Sequence, residues 1–302
     1  MPSRNSPAHA TKDQLVLDYV LPGQHTVTVE QDNSLADSTG RTVWLGAQVL
    51  AVYLADLLST SSTSASRSTQ RAVDLGSGTG LVALSLAALG YHTLATDLPA
   101  LVDGVLGTNC SSSSASSLAG TLVAAPLDWL DSTLDFPPAP HAPPFDLVTT
   151  ADTVYDPSLS APLLRTLARL SLLGRPASSP APVYLALERR DPLLVDSFLA
   201  AARDVHGFKL ARVDHARLKR LVERPEADGG TLAWDDEADW DGIEVWRLKL
   251  GRDALARARK AARDSSSRAA EGPSAASEGS PGARTATEVE SSVHELQRGG
   301  VP

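Results

Sequence analysis

"RAVDLGSGTGLVALSLAALGYHTLATDLPAL" runs from Arg71 to Leu101, and its reading decides the fold. Arg71 to Leu75 is a short apolar strand, three glycines follow, Leu81 to Leu89 is an apolar run of helical length, and "HTLATD" is a second strand that ends on a lone acid, Asp97. Strand, tight turn, helix and strand make a βαβ unit with parallel strands and a right-handed crossover. Glycines in the first turn let backbone pass close to a ligand, and the helix N-terminus beyond offers N–H groups without intrahelical partners.

The ligand can be narrowed by what the turn lacks. A dinucleotide fingerprint needs G-x-G-x-x-G, but the turn reads Gly76, Ser77, Gly78, Thr79, Gly80, Leu81, with its third glycine one place early. No lysine or arginine lies between Arg71 and Arg165 to neutralise a pyrophosphate, and the Gly-Lys-Ser/Thr of a phosphate-binding loop is missing. An adenosine ligand without phosphates fits better, with S-adenosyl-L-methionine the common example. The turn and Asp74 would meet its amino-acid end, and Asp97, closing the second strand, suits a pair of ribose hydroxyls.

Outward from this unit the alternation continues. "GTLVAAPLDW", "FDLVTTAD", "VYLALE" and "FKLARVD" read as further strands, and Pro99 to Asn109, 158–173 and 192–205 as helices. "IEVWRLKL" is a strand entered from an acidic, glycine-bearing loop, so antiparallel pairing at one edge is expected. The fold class is therefore α/β: a Rossmann-like, seven-stranded, mostly parallel sheet with helices on both faces and an antiparallel edge strand. Upstream, "QLVLDYV" and "HTVTVEQ" alternate like a hairpin and "WLGAQVLAVYLADLL" like a helix, while residues 1 to about 12 are polar and expected to be disordered. The organisation reads as an N-terminal extension, partly β, over 1–34, a catalytic domain over 35–250, and a charged helix followed by a disordered tail over 251–302.

Composition limits the partners. The 302 residues carry a formal net charge of −9, which repels nucleic acid and anionic membrane. One cysteine, Cys110, permits no internal disulfide and fits a reducing compartment, the cytoplasm or the nucleus. No apolar run approaches the ~20 residues needed to span a bilayer, the N-terminal stretch lacks a signal-peptide core, and the seven histidines show no metal-ligand spacing. A monomer without a metal is expected.

Four separated motifs carry a family resemblance: "TGRTVWLGAQVLAVYLA", the glycine turn with its flanking strands, "LDW" at 127–129, and "DLVTTADTVYD" at 146–156. Together they resemble the seven-β-strand, family-16 protein-lysine methyltransferases. The resemblance implies a class I methyltransferase fold and transfer of a methyl group from S-adenosyl-L-methionine to a lysine of a cytosolic protein, with elongation factor 1-alpha or a chaperone as first candidates. It further implies that Trp44 packs near the cofactor, that Gly76, Ser77, Gly78 and Gly80 form the methionine-side loop beside Asp74, and that Asp97 holds the ribose. Asp128 and Trp129 would border the adenine, Ala151 would make a backbone contact, and the acidic-x-x-aromatic motif would fall on Asp152 and Tyr155. Asp152 is expected to orient the acceptor lysine by hydrogen bonding, since a bare carboxylate would raise the pKa of that lysine. Tyr155 would wall the channel with a cation–π face. Trp234, Trp240 and Trp246 read as core or lid residues. Two other readings stand: methylation of a small amine, favoured by a closed pocket capped by 217–240, and a non-catalytic cofactor-binding module.

Overall fold

The computed structural model describes residues 5–256 apart from 22–24, 33–38, 60–67, 113–114, 116, 132, 177–178 and 252. A two-stranded antiparallel hairpin of β1 (Val16–Val20) and β2 (Thr26–Glu30) precedes α1 (Leu45–Ser59). The main run follows: β3 (Arg71–Leu75), α2 (Leu81–Ala88), β4 (His92–Asp97), α3 (Pro99–Val102), α4 (Val105–Ser111), β5 (Thr121–Pro126), β6 (Leu147–Ala151), α5 (Pro157–Leu172), β7 (Val183–Glu188), α6 (Pro192–Asp204), β8 (Phe208–Arg212), α7 (His215–Val222) and β9 (Ile243–Leu250).

Seven strands form one sheet in the order β5-β4-β3-β6-β7-β9-β8. The first five pair in parallel, and β9 pairs antiparallel with both β7 and β8. The expected antiparallel pairing thus falls at one end of the sheet, with β9 one place in and β8 outermost. Strand order reverses between β3 and β6, so the cleft at their carboxyl ends is the topological switch point, where open α/β sheets place ligands.

Period-two alternation divides the core. Ala72, Tyr184 and Ala186 point to one layer, with Leu50 and Leu54 of α1, the apolar face of α2 and Leu218 of α7. Val73, Val183, Leu185 and Leu187 point to the other, with Leu163, Leu167 and Phe198 of α5 and α6. Every residue of α2 is buried, which is why "LVALSLAA" is apolar all round rather than amphipathic. Helices α5 and α6 both begin with Asp-Pro: Asp156 accepts from Ser158 N and Asp191 from Leu193 N and Leu194 N, while proline fills the position whose N–H has no helical partner.

Three expectations are corrected. The helix read over Pro99 to Asn109 is two helices, α3 and α4, broken at Gly104, whose φ of −109° and ψ of −125° lie outside the helical range. Residues 5 to 12 are ordered, with a 3₁₀ turn at Ala8–Ala10. The Asn5 amide closes both ends of Val20, donating to its carbonyl at 2.8 Å and accepting from its N–H at 2.9 Å, and Gln48 accepts from Ala8 N at 2.9 Å. Polar composition concealed a segment held by amide hydrogen bonds. Finally, α7 lies between β8 and the acidic loop, where no helix was expected; Asp214 caps it by accepting from Arg217 N. Of the tail, 253–256 is helical, and the disorder expected further on falls outside the described residues.

Candidate active site

The carboxyl ends of β3, β4, β6 and β7 surround a cavity of ≈310 Å³. Its first wall is the glycine turn. Gly76 has φ +62°, and a Cβ there would sit 2.6 Å from Thr153 Cγ2 and 3.0 Å from the Trp129 ring; at Gly78, with φ +54°, a Cβ would sit 2.9 Å from the Gly40 carbonyl oxygen. Backbone therefore approaches both sides of the cavity where no side chain fits. Ser77 fastens the turn between two strands: its hydroxyl donates to Asp74 O at 3.0 Å and accepts from Thr96 N at 3.1 Å. Asn109 of α4 donates to Thr79 O at 2.9 Å and to Glu30 O at 3.0 Å, latching the far end of the turn to β2.

Asp97 ends β4 with one oxygen accepting from Gly78 N at 2.9 Å and the other from Leu98 N at 2.8 Å. Burial raises its pKa, against the pull of those two amides. Each oxygen retains lone-pair capacity for a further donor, so the carboxylate can take two vicinal hydroxyls. Asp74, buried beneath the turn, accepts from the Thr149 hydroxyl at 2.7 Å, and burial pushes its pKa up to about 6. Trp129 completes this side with its ring against Gly76 and its carbonyl accepting from Arg165 at 2.9 Å.

The second wall is the end of β6. Asp152 has φ +56°, a left-handed conformation that aspartate tolerates better than most residues, and its N–H donates to Ala186 O of β7 at 3.0 Å. That turn carries its carboxyl to the N-terminus of α1, where Oδ2 accepts from Ala47 N at 3.1 Å. Burial pushes the Asp152 pKa up to about 7; the α1 amides and Arg190 oppose the rise, and the Glu188 charge adds to it. Tyr155 stands half-exposed at the mouth, its hydroxyl 3.5 Å from that of Thr39.

The structure brings ten of the twelve residues singled out in the sequence to this cavity: Trp44, Asp74, Gly76, Ser77, Gly78, Asp97, Trp129, Ala151, Asp152 and Tyr155. Gly80 and Asp128 lie outside its lining. Gly80 faces Leu106 and Cys110 at the start of α2, and Asp128 spends an oxygen on Leu130 N at 2.8 Å, shaping the turn that presents Trp129. The sequence reading missed Glu188, the last residue of β7, and Arg190 just beyond it, which line the cavity. They pair with each other, and the Arg190 guanidinium lies 4.9 Å from the Trp44 ring centroid, which also carries the Lys12 ammonium at 4.7 Å. "LERRD" directly after an apolar strand was the available signal, since charge at the carboxyl end of a parallel strand faces the ligand cleft. Trp234, Trp240 and Trp246 stay outside the lining, as expected, and so does the whole of 217–240.

A family model described as "Lysine methyltransferase" matches residues 23–200, more than half of the chain. The chain belongs to the lysine methyltransferase family. The protein-lysine methyltransferase METTL21E of Bos taurus is 33% identical over 126 residues, a stretch that makes up 41% of this chain and 40% of the bovine protein. The chain thus matches well under half the length of that relative. Among solved structures, the CcbJ methyltransferase from Streptomyces caelestis is similar with a TM-score of 0.43 and 13% identity, over 68% of this chain and 90% of that one. Magnesium protoporphyrin IX methyltransferase from Synechocystis PCC 6803, with bound SAM, gives 0.39 and 14% over 68% and 79%.

Proposed function

We propose that this lysine methyltransferase family member binds S-adenosyl-L-methionine in the switch-point cavity and methylates a lysine side chain of a cytosolic or nuclear protein, with elongation factor 1-alpha or a chaperone the first substrates to try. The observation that carries the reading is one cavity with two complementary walls: a glycine turn plus the Asp97 carboxylate on one side, and Asp152 with Tyr155 on the other. The residues of the first wall fit the cofactor. Gly76 and Gly78 leave room where a Cβ would collide, Asp97 has capacity for two hydroxyls, and the buried Asp74 carboxyl suits an amino group.

The cofactor supplies an electrophilic methyl on a sulfonium. What the chain must supply is alignment of a neutral amine, because deprotonating an ordinary lysine at pH 7 costs about 4–5 kcal/mol at 1.36 kcal/mol per unit of pKa. Asp152 suits this task. Its carboxyl is fixed in direction by Ala47 N, and with a pKa near 7 it carries less negative charge than an exposed aspartate would, so it can accept an N–H without strongly holding the amine as ammonium. Tyr155 offers an aromatic face to the aliphatic stem and charge of an entering lysine. The absence of 217–240 from the lining favours an acceptor presented on a protein over an enclosed small amine.

The test is labelled S-adenosyl-L-methionine with a cell lysate, comparing wild type with Asp152→Ala and mapping the label by mass spectrometry. Methyl-lysine formed only by wild type is expected. Cofactor binding without any lysine marked would overturn the reading.

A further inference from the structure

Resting on that lysine-transfer reading, we infer that the rim of the cavity is a docking surface for a basic, apolar segment around the acceptor lysine. The carrying observation is where exposed apolar side chains stand. Leu193 is 80% exposed, Leu130 62%, Tyr155 51% and Leu98 50%. Leu98, Leu130 and Tyr155 stand on loops at the carboxyl edge of the sheet and Leu193 in the first turn of α6, and each lines the cavity or lies next to a residue that does: Leu98 follows Asp97, Leu130 follows Trp129, and Leu193 precedes Leu194. Single exposed apolar side chains are ordinary on a protein surface, but four on the separate segments that follow β4, β5, β6 and β7 around the same opening mark an interaction site.

Charge decides the occupant. Asp131, Asp156 and Asp191 stand on the same segments as these apolar groups. Asp156 stays ionised, since the Ser158 hydroxyl and amide hold its carboxyl below the usual carboxylate range. Of the arginines near the rim, Arg189 is engaged with Glu244 and Asp196, Arg190 with Glu188, and Arg165 with the Trp129 carbonyl, so Asp131, Asp156 and Asp191 outnumber the one arginine, Arg165, whose described partner is not a carboxylate. A nucleic acid or an acidic segment is repelled by this rim, whereas a segment with lysine or arginine beside its apolar residues is complementary, and complementarity at a rim chiefly sets specificity and association rate. An apolar neighbour of the acceptor lysine would reach Leu193 or Leu130 while flanking cations meet Asp131 and Asp191.

Three single-lysine peptides test this: one with arginines and leucines beside the lysine, one with glutamates and leucines, and one with arginines and glycines. Wild type is expected to methylate the first with at least tenfold higher kcat/KM than either of the others, the advantage over the glutamate peptide shrinking at high salt. A Leu130→Ser/Leu193→Ser double variant is expected to raise KM for the first peptide about fivefold while keeping its kcat and its calorimetric affinity for S-adenosyl-L-methionine. Equal rates on all three peptides, or a preference for the acidic one, would overturn the docking surface and leave lysine transfer standing. Cofactor binding with no peptide methylated would instead remove lysine transfer and the docking surface with it.

Discussion

On the wall of the cavity built by β3 and β4, the hydrogen bonds among Asp74, Ser77, Gly78, Thr96 and Asp97 lie within one βαβ unit, whereas on the wall built by β6 and β7 Asp152 and Tyr155 meet partners far away in the chain. Gly78 and Asp97 are 19 residues apart, as are Ser77 and Thr96, and Thr96 and Asp74 are 22. Asp152 and Ala47 are 105 apart, and Thr39 and Tyr155 116. A βαβ unit supplies most of the bonds that set the glycine turn and Asp97, with Thr149 and the Asn109 link to β2 added from outside it. The second wall exists only once α1, β6, β7 and the N-terminal segment have assembled. Cofactor binding and acceptor handling should therefore respond separately to substitution.

The largest separation is expected from Asp97→Ala. Two amides, Gly78 N and Leu98 N, lose their acceptor, and hydrogen bonds to a charged group are each worth about 1.5–3 kcal/mol. The calorimetric Kd for S-adenosyl-L-methionine should rise on the order of 10²–10³-fold with the melting transition still cooperative, and a rise under threefold would break the assignment of this wall. Gly76→Val should come next and blur the comparison, because position 76 touches both walls. A Cβ 2.6 Å from Thr153 Cγ2 must push the end of β6 as well as strain a positive-φ turn, at roughly 1–2 kcal/mol for the backbone alone. Affinity for the cofactor and kcat should fall together, each ~10-fold or more; loss of one alone would show that the walls do not meet there.

The smallest effect sits in pH dependence. Asp152 has a folded pKa of about 7 against 3.8 for the ordinary carboxyl, so between those values the folded chain binds more protons than the unfolded one. That contribution to stability is complete below pH 4 and is lost as pH rises through about 7; Asp74, at about 6, acts in the same direction. Between pH 5 and pH 8 the melting temperature of wild type should fall by a few degrees relative to Asp152→Asn. Parallel curves would mean that the Asp152 carboxyl is not buried as described.

The same contrast explains what the sequence revealed. "VDLGSGTG" and "HTLATD" disclosed the parallel βαβ unit, and Asp97 could be expected at the cavity, because strand periodicity, turn glycines and a terminal acid are local signals, whereas the strand order and its switch point were not legible. The place of Asp152 at the cavity was legible through its motif, but its hydrogen bond to the start of α1 was not, since nothing near Gly46 and Ala47 announces a partner 105 residues away. Glu188 and Arg190 escaped for a related reason: "LERRD" signals charge at a strand's carboxyl end, but the strand order, which places β7 beside β6, is what brings that charge to this cavity. Asn5 and Ala8 were missed because single amide hydrogen bonds leave no periodic trace. Gly80 shows the reverse, a residue whose motif position implied a ligand contact and whose surroundings, Leu106 and Cys110, make it a packing residue.

The division between the two walls is tested most directly by one Asp152→Asn preparation on which cofactor affinity and methyl transfer to the lysine-bearing substrate are both measured. The account predicts a Kd for S-adenosyl-L-methionine within about threefold of wild type and a kcat/KM reduced at least 10-fold, about 1.4 kcal/mol of lost alignment. A cofactor affinity that falls together with kcat/KM, or a kcat/KM left unchanged, would contradict it.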